Sequence, residues 1–168
     1  MSTSSHQASA ETLRLKCAII TCSDTRTRET DTSGDYIRIS LESQGHTVAD
    51  YAIVKDEPDE IRRLLRHHVA EAFHVVLLNG GTGISRRDGT FEAVSELLEK
   101  VLPGFGEIFR VLSYEDIGPA SILSRATAGV IGKTLVFSMP GSTGAVRLAM
   151  DKLIAPDLKH IVWEISDH

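Results

Sequence analysis

Short apolar runs alternate with amphipathic stretches along this chain, and the two patterns predict different elements. Four short runs rich in apolar residues are predicted to be buried strands: Leu13–Thr21, Thr47–Val54, His74–Leu78 and Lys133–Ser138. Apolar residues at helical spacing predict helices at Ser33–Gln44, after Lys55–Pro58, at Phe91–Leu102, Gly106–Ile117, Ala120–Ala128, Thr143–Ile154 and Pro156–Ile165. Strands that alternate with helices in this way predict a three-layer α/β/α domain with a mostly parallel sheet.

Several residues refine this prediction. His74–Leu78 shows no polar alternation, which is typical of a parallel strand covered on both faces. Ser33 is expected to cap the first helix. The basic positions 62, 63 and 66–68 lie mostly opposite the apolar stripe of the second helix, so they are predicted to face solvent. The small residues of Ala120–Ala128 predict close packing against a neighbour.

Composition places the chain among ordinary single domains. Residues 1–12 lack periodicity and are predicted to be a flexible tail, and residues 13–168 are predicted to form one domain. The formal charge of −5 argues against nucleic-acid or anionic-membrane binding, because both surfaces favour a cationic partner. Cys17 and Cys22, five residues apart in a predicted strand, should point to opposite faces and stay reduced in a cytoplasmic protein.

Polar and glycine-rich segments follow the predicted strands. In open parallel sheets, ligands bind beyond the carboxyl ends of the strands. The segments expected at that edge are Ser23 and Asp24 with the residues that follow them, Asp56, the stretch Gly80–Asp88, and the turn Ser138–Ser142. Glycine permits close backbone approach, hydroxyl groups bind phosphates, and acids can hold a divalent cation. The sequence therefore predicts a ligand site at this edge.

The strongest signal is the glycine-rich loop after the third strand. Gly80, Gly81, Thr82 and Gly83 follow a buried strand directly, which favours a sharp turn that presents N–H groups to an anion. A tight turn without a ligand is the alternative interpretation. The spacing fits neither the Walker A motif nor the dinucleotide-binding motif of the Rossmann fold.

Two acids near this loop have two interpretations each. Asp88 and Asp56 both stand close before a predicted helix, so each could be a helix cap that accepts a backbone N–H. Alternatively, Asp88 helps to hold Mg²⁺ at a phosphate site, and Asp56 supplies a second carboxylate from the neighbouring strand.

Cationic and hydroxyl groups surround the same loop. Arg86 or Arg87 could screen phosphate charge, although paired arginines on a loop are often simply solvated. Ser138, Pro140, Gly141 and Ser142 form a turn that could contact a phosphate or a carboxylate, or could be purely structural.

Four segments in this order resemble the MoaB/MogA family of molybdenum cofactor biosynthesis proteins. They are the GGTG loop with its Arg-Asp-x-Thr extension, then PGFGEIFRVLSYEDIG, then LSRATAG, then SMPGS. The resemblance covers Leu13 to Ser166, and the second segment is more similar to the MoaB branch. It implies a molybdopterin-binding α/β fold that assembles as a trimer or a dimer of trimers.

The resemblance also implies roles for individual residues. Asp88 matches the family's essential carboxylate and Asp56 its second acidic position. The positions that match the nucleotide and pterin-phosphate sites are Gly80, Gly81, Thr82, Gly83, Ser23, Asp24, Ser138, Pro140, Gly141 and Ser142.

The activity implied by the family is adenylylation of molybdopterin with ATP and Mg²⁺, with release of pyrophosphate. In this interpretation Asp88 holds the metal with help from Asp56, and Arg87 or Arg86 neutralises phosphate charge. A protein that carries the pterin without reacting it is the alternative. The expected partners are molybdopterin, ATP, further copies of this chain and other proteins of cofactor biosynthesis, with no nucleic acid and no membrane.

Overall fold

The computed structural model describes residues 13–166 of this chain. The predicted N-terminal tail, residues 1–12, lies outside the described residues. The strands are β1 (Lys16–Cys22), β2 (Thr47–Val54), β3 (Val75–Asn79), β4 (Lys100–Val101), β5 (Thr127–Ile131) and β6 (Thr134–Met139). The α-helices are α1 (Thr32–Ser43), α2 (Pro58–Ala70), α3 (Thr90–Leu97), α4 (Pro103–Ile117), α5 (Thr143–Ala149) and α6 (Leu158–Ile165). A 3-10 helix (Gly118–Leu123) follows α4, and a π-helical turn (Met150–Ile154) follows α5.

One mixed sheet organises the domain in the strand order β2-β1-β3-β6-β5-β4. The first four strands in this order are parallel, whereas β5 and β4 are joined by antiparallel pairing. The register aligns Thr21 with Asn79 and Asn79 with Met139, so three strands end at one level. The predicted three-layer domain with a mostly parallel sheet is confirmed.

Helices cover both faces of the sheet and form two separate cores. Helices α1, α4, α5 and α6 pack on one face, and α2 and α3 pack on the other. Cys17 lies in the first core and Cys22 in the second, and both thiols are free. Burial raises the pKa of each thiol to about 12, so both are protonated fillers at neutral pH.

Two predicted helices are wrong in part. The helix predicted at Phe91–Leu102 ends at Leu97, because Lys100 and Val101 pair with Val130 and Gly129 as an edge strand. Val101 is accordingly 55% exposed and does not face the core.

The helix predicted at Ala120–Ala128 is replaced by the 3-10 helix and the start of β5. The packing of its small residues against a neighbour stays a prediction. Within the chain, β5 approaches β4 closely, because a Cβ on Gly129 would collide with the carbonyl oxygen of Lys100. Strand pairing with β6 therefore outweighs the local helical pattern in this segment.

The cap predicted for the first helix is also wrong. Asp31 occupies the N-cap position of α1, and its Oδ1 accepts a 3.0 Å hydrogen bond from the N–H of Gly34. Ser33 is instead buried inside the first turn, where its hydroxyl donates to Asn79 Oδ1 across 3.0 Å.

No helix among residues 13–166 is long and apolar enough to cross a membrane.

Two histidines are buried at sites that disfavour their charged forms. His46 Nδ1 accepts a 3.2 Å hydrogen bond from the N–H of Leu15. His68, predicted to face solvent, is fully buried, with Nε2 2.6 Å from Asp50 Oδ2. Burial lowers the pKa of both imidazoles below their usual range, in His68 against the opposing effect of Asp50.

This burial predicts that the protein loses stability in mild acid. Below about pH 6.5 the unfolded chain binds protons that the folded chain disfavours, so stability is intact above that pH and falls below it. Each histidine contributes a slope of at most about 1.4 kcal/mol per pH unit. Urea unfolding between pH 7.5 and 5.5 measures that slope. His46→Gln and His68→Gln should each flatten it, whatever their effect at pH 7.5, and a slope unchanged in both variants would contradict this account.

Candidate functional site

The loops that follow β3 and β6 meet at one edge of the sheet around a cavity of about 360 Å³. Seven of the sequence-predicted site residues line this cavity: Gly81, Thr82, Gly83, Asp88, Pro140, Gly141 and Ser142. The opposite wall comes from α4, the 3-10 helix and α5 and includes Phe109, Ile117, Leu123 and Ala145. The cavity thus has a polar glycine-rich side and an apolar side, as small-molecule sites commonly do.

Backbone geometry explains the glycines at the start of the loop. Gly80 and Gly81 have φ values of +101° and +66°, which L side chains rarely adopt. A Cβ on Gly80 would collide with the carbonyl oxygen of Cys22, so β1 and the loop lie in close contact. The sharp turn is therefore required by the packing of two adjacent strand ends.

The later glycines leave room for two carboxylates. A Cβ on Gly81 would lie 2.6 Å from Asp56 Oδ2, and a Cβ on Gly83 would lie 2.6 Å from Asp88 Oδ2. Asp56 and Asp88 therefore pack against alternate glycines of one loop. Because the two carboxylates approach the backbone so closely, the loop has glycine at positions 81 and 83.

Asp56 acts as a cap, but not for the helix that follows it in sequence. Helix α2 begins after Glu57 with no side-chain cap. Asp56 Oδ1 instead accepts hydrogen bonds from Gly89 N and Thr90 Oγ1, both across 3.2 Å, at the start of α3. Burial raises the pKa of this carboxyl above its usual range, and the charges of Asp88 and Asp24 act in the same direction.

Asp88 does not cap a helix. Gly89 is the N-cap residue of α3 and has no side-chain cap hydrogen bond. Asp88 Oδ2 accepts hydrogen bonds from the N–H and the hydroxyl of Ser85, across 2.9 and 2.5 Å, and so closes the loop on itself. The helix-cap interpretation of Asp88 is wrong, and its carboxylate lines the cavity.

Asp24 and Arg87 form a separate group on the outer rim. Arg87 Nη2 lies 2.8 Å from Asp24 Oδ2 and Nη1 lies 3.3 Å from Glu57 Oε1, with the arginine side chain 60% exposed. The hydrogen bond from Arg87 lowers the pKa of Asp24. Ser23 Oγ accepts the N–H groups of Thr25 and Arg26 and so shapes the turn after β1. None of these side chains lines the cavity.

The predicted turn after β6 divides into a buried and an accessible part. Ser138 is fully buried in the sheet, and its Oγ has no hydrogen-bond partner within residues 13–166. Ser142 is the N-cap of α5, and its Oγ accepts a 3.2 Å hydrogen bond from the N–H of Ala145. Pro140, Gly141 and Ser142 contribute to the cavity and Ser138 does not.

A buried polar network lies beneath the loops. Asp31, whose side chain is fully buried, accepts hydrogen bonds from Thr21 Oγ1 across 2.6 Å and from Tyr51 OH across 2.5 Å. Asn79 Nδ2 donates to Thr21 Oγ1 across 2.9 Å. Burial opposes ionisation of Asp31, but these hydrogen bonds outweigh it and lower its pKa. The carboxylate is therefore ionised and connects α1 directly to β1 and β2, and through Thr21 to Asn79 at the end of β3.

Arg125 is a site residue that sequence reasoning missed. Its guanidinium donates through Nε and Nη2 to the carbonyl oxygen of Gly83, across 2.9 and 2.5 Å, and through Nη2 to that of Asp88 across 3.2 Å. It also forms an ion pair with Glu92 and lies over the ring of Phe91. The signal was present, because Arg125 belongs to the LSRATAG segment that carries part of the family resemblance.

Comparison with known proteins agrees with the fold. A family model described as a probable molybdopterin binding domain matches residues 18–160. Among solved structures, a molybdenum cofactor biosynthesis protein B superposes with a TM-score of 0.87 at 54% identity, covering 91% of this chain and 96% of the other. The tungsten cofactor synthesizing protein MoaB from Pyrococcus furiosus gives 0.83 at 37% identity, with 92% and 98% covered. The fold is that of a molybdopterin-binding domain.

The sequence relatives narrow this assignment. Molybdenum cofactor biosynthesis protein B of Bacillus subtilis (strain 168) is 58% identical over 167 residues, which is 98% of both chains. The chain therefore belongs to the MoaB/MogA family of molybdopterin-binding proteins, as its motifs predicted.

The contacts of Arg125 predict that the stability of the glycine loop depends on the planar, branched shape of the Arg125 guanidinium. Arg125→Lys keeps the charge but cannot make the two-pronged bond to Gly83, so we expect a loss of about 1–2 kcal/mol in the free energy of unfolding and faster amide exchange at Ser85. The control is Arg63→Lys, whose pair with Glu60 lies on the exposed surface of α2, with an expected change below about 0.5 kcal/mol. Equal losses in the two variants would refute the special role of Arg125.

Proposed function

We propose that this protein acts in molybdenum cofactor biosynthesis by binding molybdopterin and adenylylating it with Mg²⁺-ATP. The observation that carries the proposal is the pair of carboxylates, Asp56 and Asp88, which pack against alternate glycines of one loop. Asp88 lines the cavity itself, whereas Asp56 does not. Glycine turns that bring backbone close to a ligand suit phosphate groups, and acids beside them suit the cation that accompanies ATP. The names of relatives that are more than half identical support the pathway.

The acids fit magnesium better than a metal that needs a dedicated protein cage. Among residues 13–166 no three His, Cys, Asp or Glu side chains are grouped to hold a metal. Magnesium commonly takes one or two carboxylates together with waters and phosphate oxygens. Asp88, with Asp56 beside it, would hold the ion, which would neutralise charge on the phosphates. Burial raises the pKa of Asp56, and the charges of Asp88 and Asp24 act in the same direction. A cation beside these acids would offset the repulsion between their charges.

The proposed reaction needs positioning more than covalent help. A phosphate oxygen of molybdopterin attacks the α-phosphorus of ATP, a new P–O–P bond forms, and the bond to the leaving pyrophosphate breaks. The protein has to hold the two phosphates in line and balance their charge. In this proposal Gly81, Thr82 and Gly83 contact phosphate, Pro140 to Ser142 form the facing turn, and the apolar wall around Phe109 excludes water.

A carrier function is the second candidate, and one observation favours it. Both acids already make structural hydrogen bonds, Asp56 to the start of α3 and Asp88 to Ser85, so neither needs a metal to explain its position. Pyrophosphate release from Mg²⁺-ATP on addition of molybdopterin tests the choice. Release supports the transferase, and binding of the pterin without any release supports the carrier.

Asp88→Asn separates the chemical role of this residue from its structural one. The amide oxygen can still accept from Ser85, so the free energy of unfolding should change by no more than about 0.5 kcal/mol. The negative charge is lost, so we expect the pterin to bind while adenylyl transfer falls at least 100-fold, which is about 2.7 kcal/mol. Asp59→Asn, on the exposed surface of α2, is the matched control and should keep full activity. Pyrophosphate release within threefold of the parent would remove Asp88 from the reaction.

We also propose that the protein forms a trimer or a dimer of trimers. Helix α4 and the 3-10 helix leave apolar side chains exposed on one side of the molecule: Ile108, Val111, Tyr114, Ile117 and Ile122 are each 51–78% accessible. Exposed apolar side chains concentrated on two consecutive elements are typical of protein interfaces. Because Ile117 also lines the cavity, a neighbouring copy on this surface would lie beside the site.

Light scattering tests the assembly directly. We expect a mass three or six times that of the 18.3 kDa chain at micromolar concentration. Val111→Asp places a charge in the proposed interface and should shift the mass towards that of the monomer. Ile39→Asp, at a comparably exposed residue of α1, should not. A monomeric parent protein, or dissociation by both variants alike, would contradict the proposed interface.

A further inference from the structure

Arg26 lies where the two glycine turns of the site meet. It follows β1 in the same loop as Ser23, and its backbone N–H donates to Ser23 Oγ across 3.1 Å. A Cβ on Gly141 would lie 3.0 Å from the Cα of Gly80 and 3.8 Å from Nη1 of Arg26. The guanidinium is therefore adjacent to both the loop after β3 and the turn after β6.

Buried groups hold this guanidinium in place. Nη1 donates to Ser33 Oγ, and Ser33 in turn donates to the buried Asn79 at the end of β3. Nη1 also lies 3.5 Å from Asp31 Oδ1, and the side chain of Arg26 is 28% exposed. Within residues 13–166 its side-chain contacts run through Nη1, which leaves Nε and Nη2 available to a ligand.

The positive charge of Arg26 is not needed by its carboxylate neighbour. Asp31 already accepts from Thr21, Tyr51 and the N–H of Gly34, and these hydrogen bonds lower its pKa. Two other arginines at this edge of the sheet already use their guanidinium groups to bind protein partners. Arg87 pairs with two exposed acids on the rim, and Arg125 binds two loop carbonyl groups and Glu92. Arg26 is thus an oriented cation beside two glycine turns, and its Nε and Nη2 groups can still donate hydrogen bonds to a ligand.

We propose that Arg26 binds a phosphate group of the substrates at the junction of Gly80 and Gly141. This inference rests on the proposed function for the identity of the substrates, since both molybdopterin and ATP carry phosphate. A guanidinium matches phosphate oxygens with two parallel hydrogen bonds, which a lysine cannot reproduce. Ser33 is the positioning residue, because its hydroxyl orients Nη1.

Calorimetric titration with inorganic pyrophosphate, with ATP alone and with molybdopterin alone tests the inference without any turnover. We expect Arg26→Gln to weaken pyrophosphate binding at least tenfold, Arg26→Lys to recover only part of it, and Ser33→Ala to weaken it less than Arg26→Gln. Arg38→Gln is the matched control, since it removes the same charge from a surface pair with Asp35 and Glu42, and it should bind as the parent does. Thermal unfolding of each variant confirms that it is folded.

The outcomes separate this inference from the proposed reaction. Weaker binding of ATP alone, or of molybdopterin alone, by Arg26→Gln identifies which substrate supplies the phosphate. If Arg26→Gln binds pyrophosphate, ATP and molybdopterin as tightly as the parent, the role of Arg26 is refuted while the proposed reaction stands. If the variant loses binding but the parent releases no pyrophosphate from ATP and molybdopterin, Arg26 is a phosphate ligand of a carrier. A parent that binds none of the three ligands would overturn both.

Discussion

The buried carboxylate of Asp31 sets the geometry of the edge of the sheet at which the cavity lies. An ionised group away from water is stabilised only when donors surround it, and the loss of any one donor leaves part of its charge uncompensated. Its donors come from β1, from β2 and from the first turn of α1. Thr21 and Ser33 also bond Asn79, which adds β3 to the group. The loops after β1 and β3 therefore start from positions that one electrostatic requirement fixes together.

Much of the architecture could be predicted because it depends on local pattern. The strand Thr47–Val54 has the predicted bounds, and the other predicted strands are correct to within a few residues. Two buried faces leave a parallel strand with no polar alternation, and that signal is visible in the sequence around Val75–Asn79. Ligands bind beyond the carboxyl ends of such strands, and this rule predicted that Gly81, Asp88 and Gly141 lie close together. All three residues line one cavity in the structure.

The errors share a physical cause, which is interaction between distant parts of the chain. Asp56 caps a helix that starts more than thirty residues later, so its local position before Pro58 was misleading. The segment Ala120–Ala128 has helical spacing, yet it begins in a 3-10 helix and its last two residues pair with β6 as a strand. Arg125 reaches the glycine loop from a distant segment, so the LSRATAG motif marks the residue but not the contact that it makes. Propensity is a weak guide wherever tertiary contacts decide the outcome.

The edge of the sheet that carries the cavity has both negative and positive groups, although the net charge of the chain is −5. The carboxylates of Asp56 and Asp88 pack against Gly81 and Gly83 of the loop, and the repulsion between their charges would be offset by an added cation. Arg26 is oriented by Ser33 and lies next to the turn that contains Gly141. Under the proposed function, a phosphate that arrives with its divalent cation finds a partner for each charge, whereas a bare anion meets the acids as well. An acidic protein can thus bind highly anionic substrates through local arrangement alone.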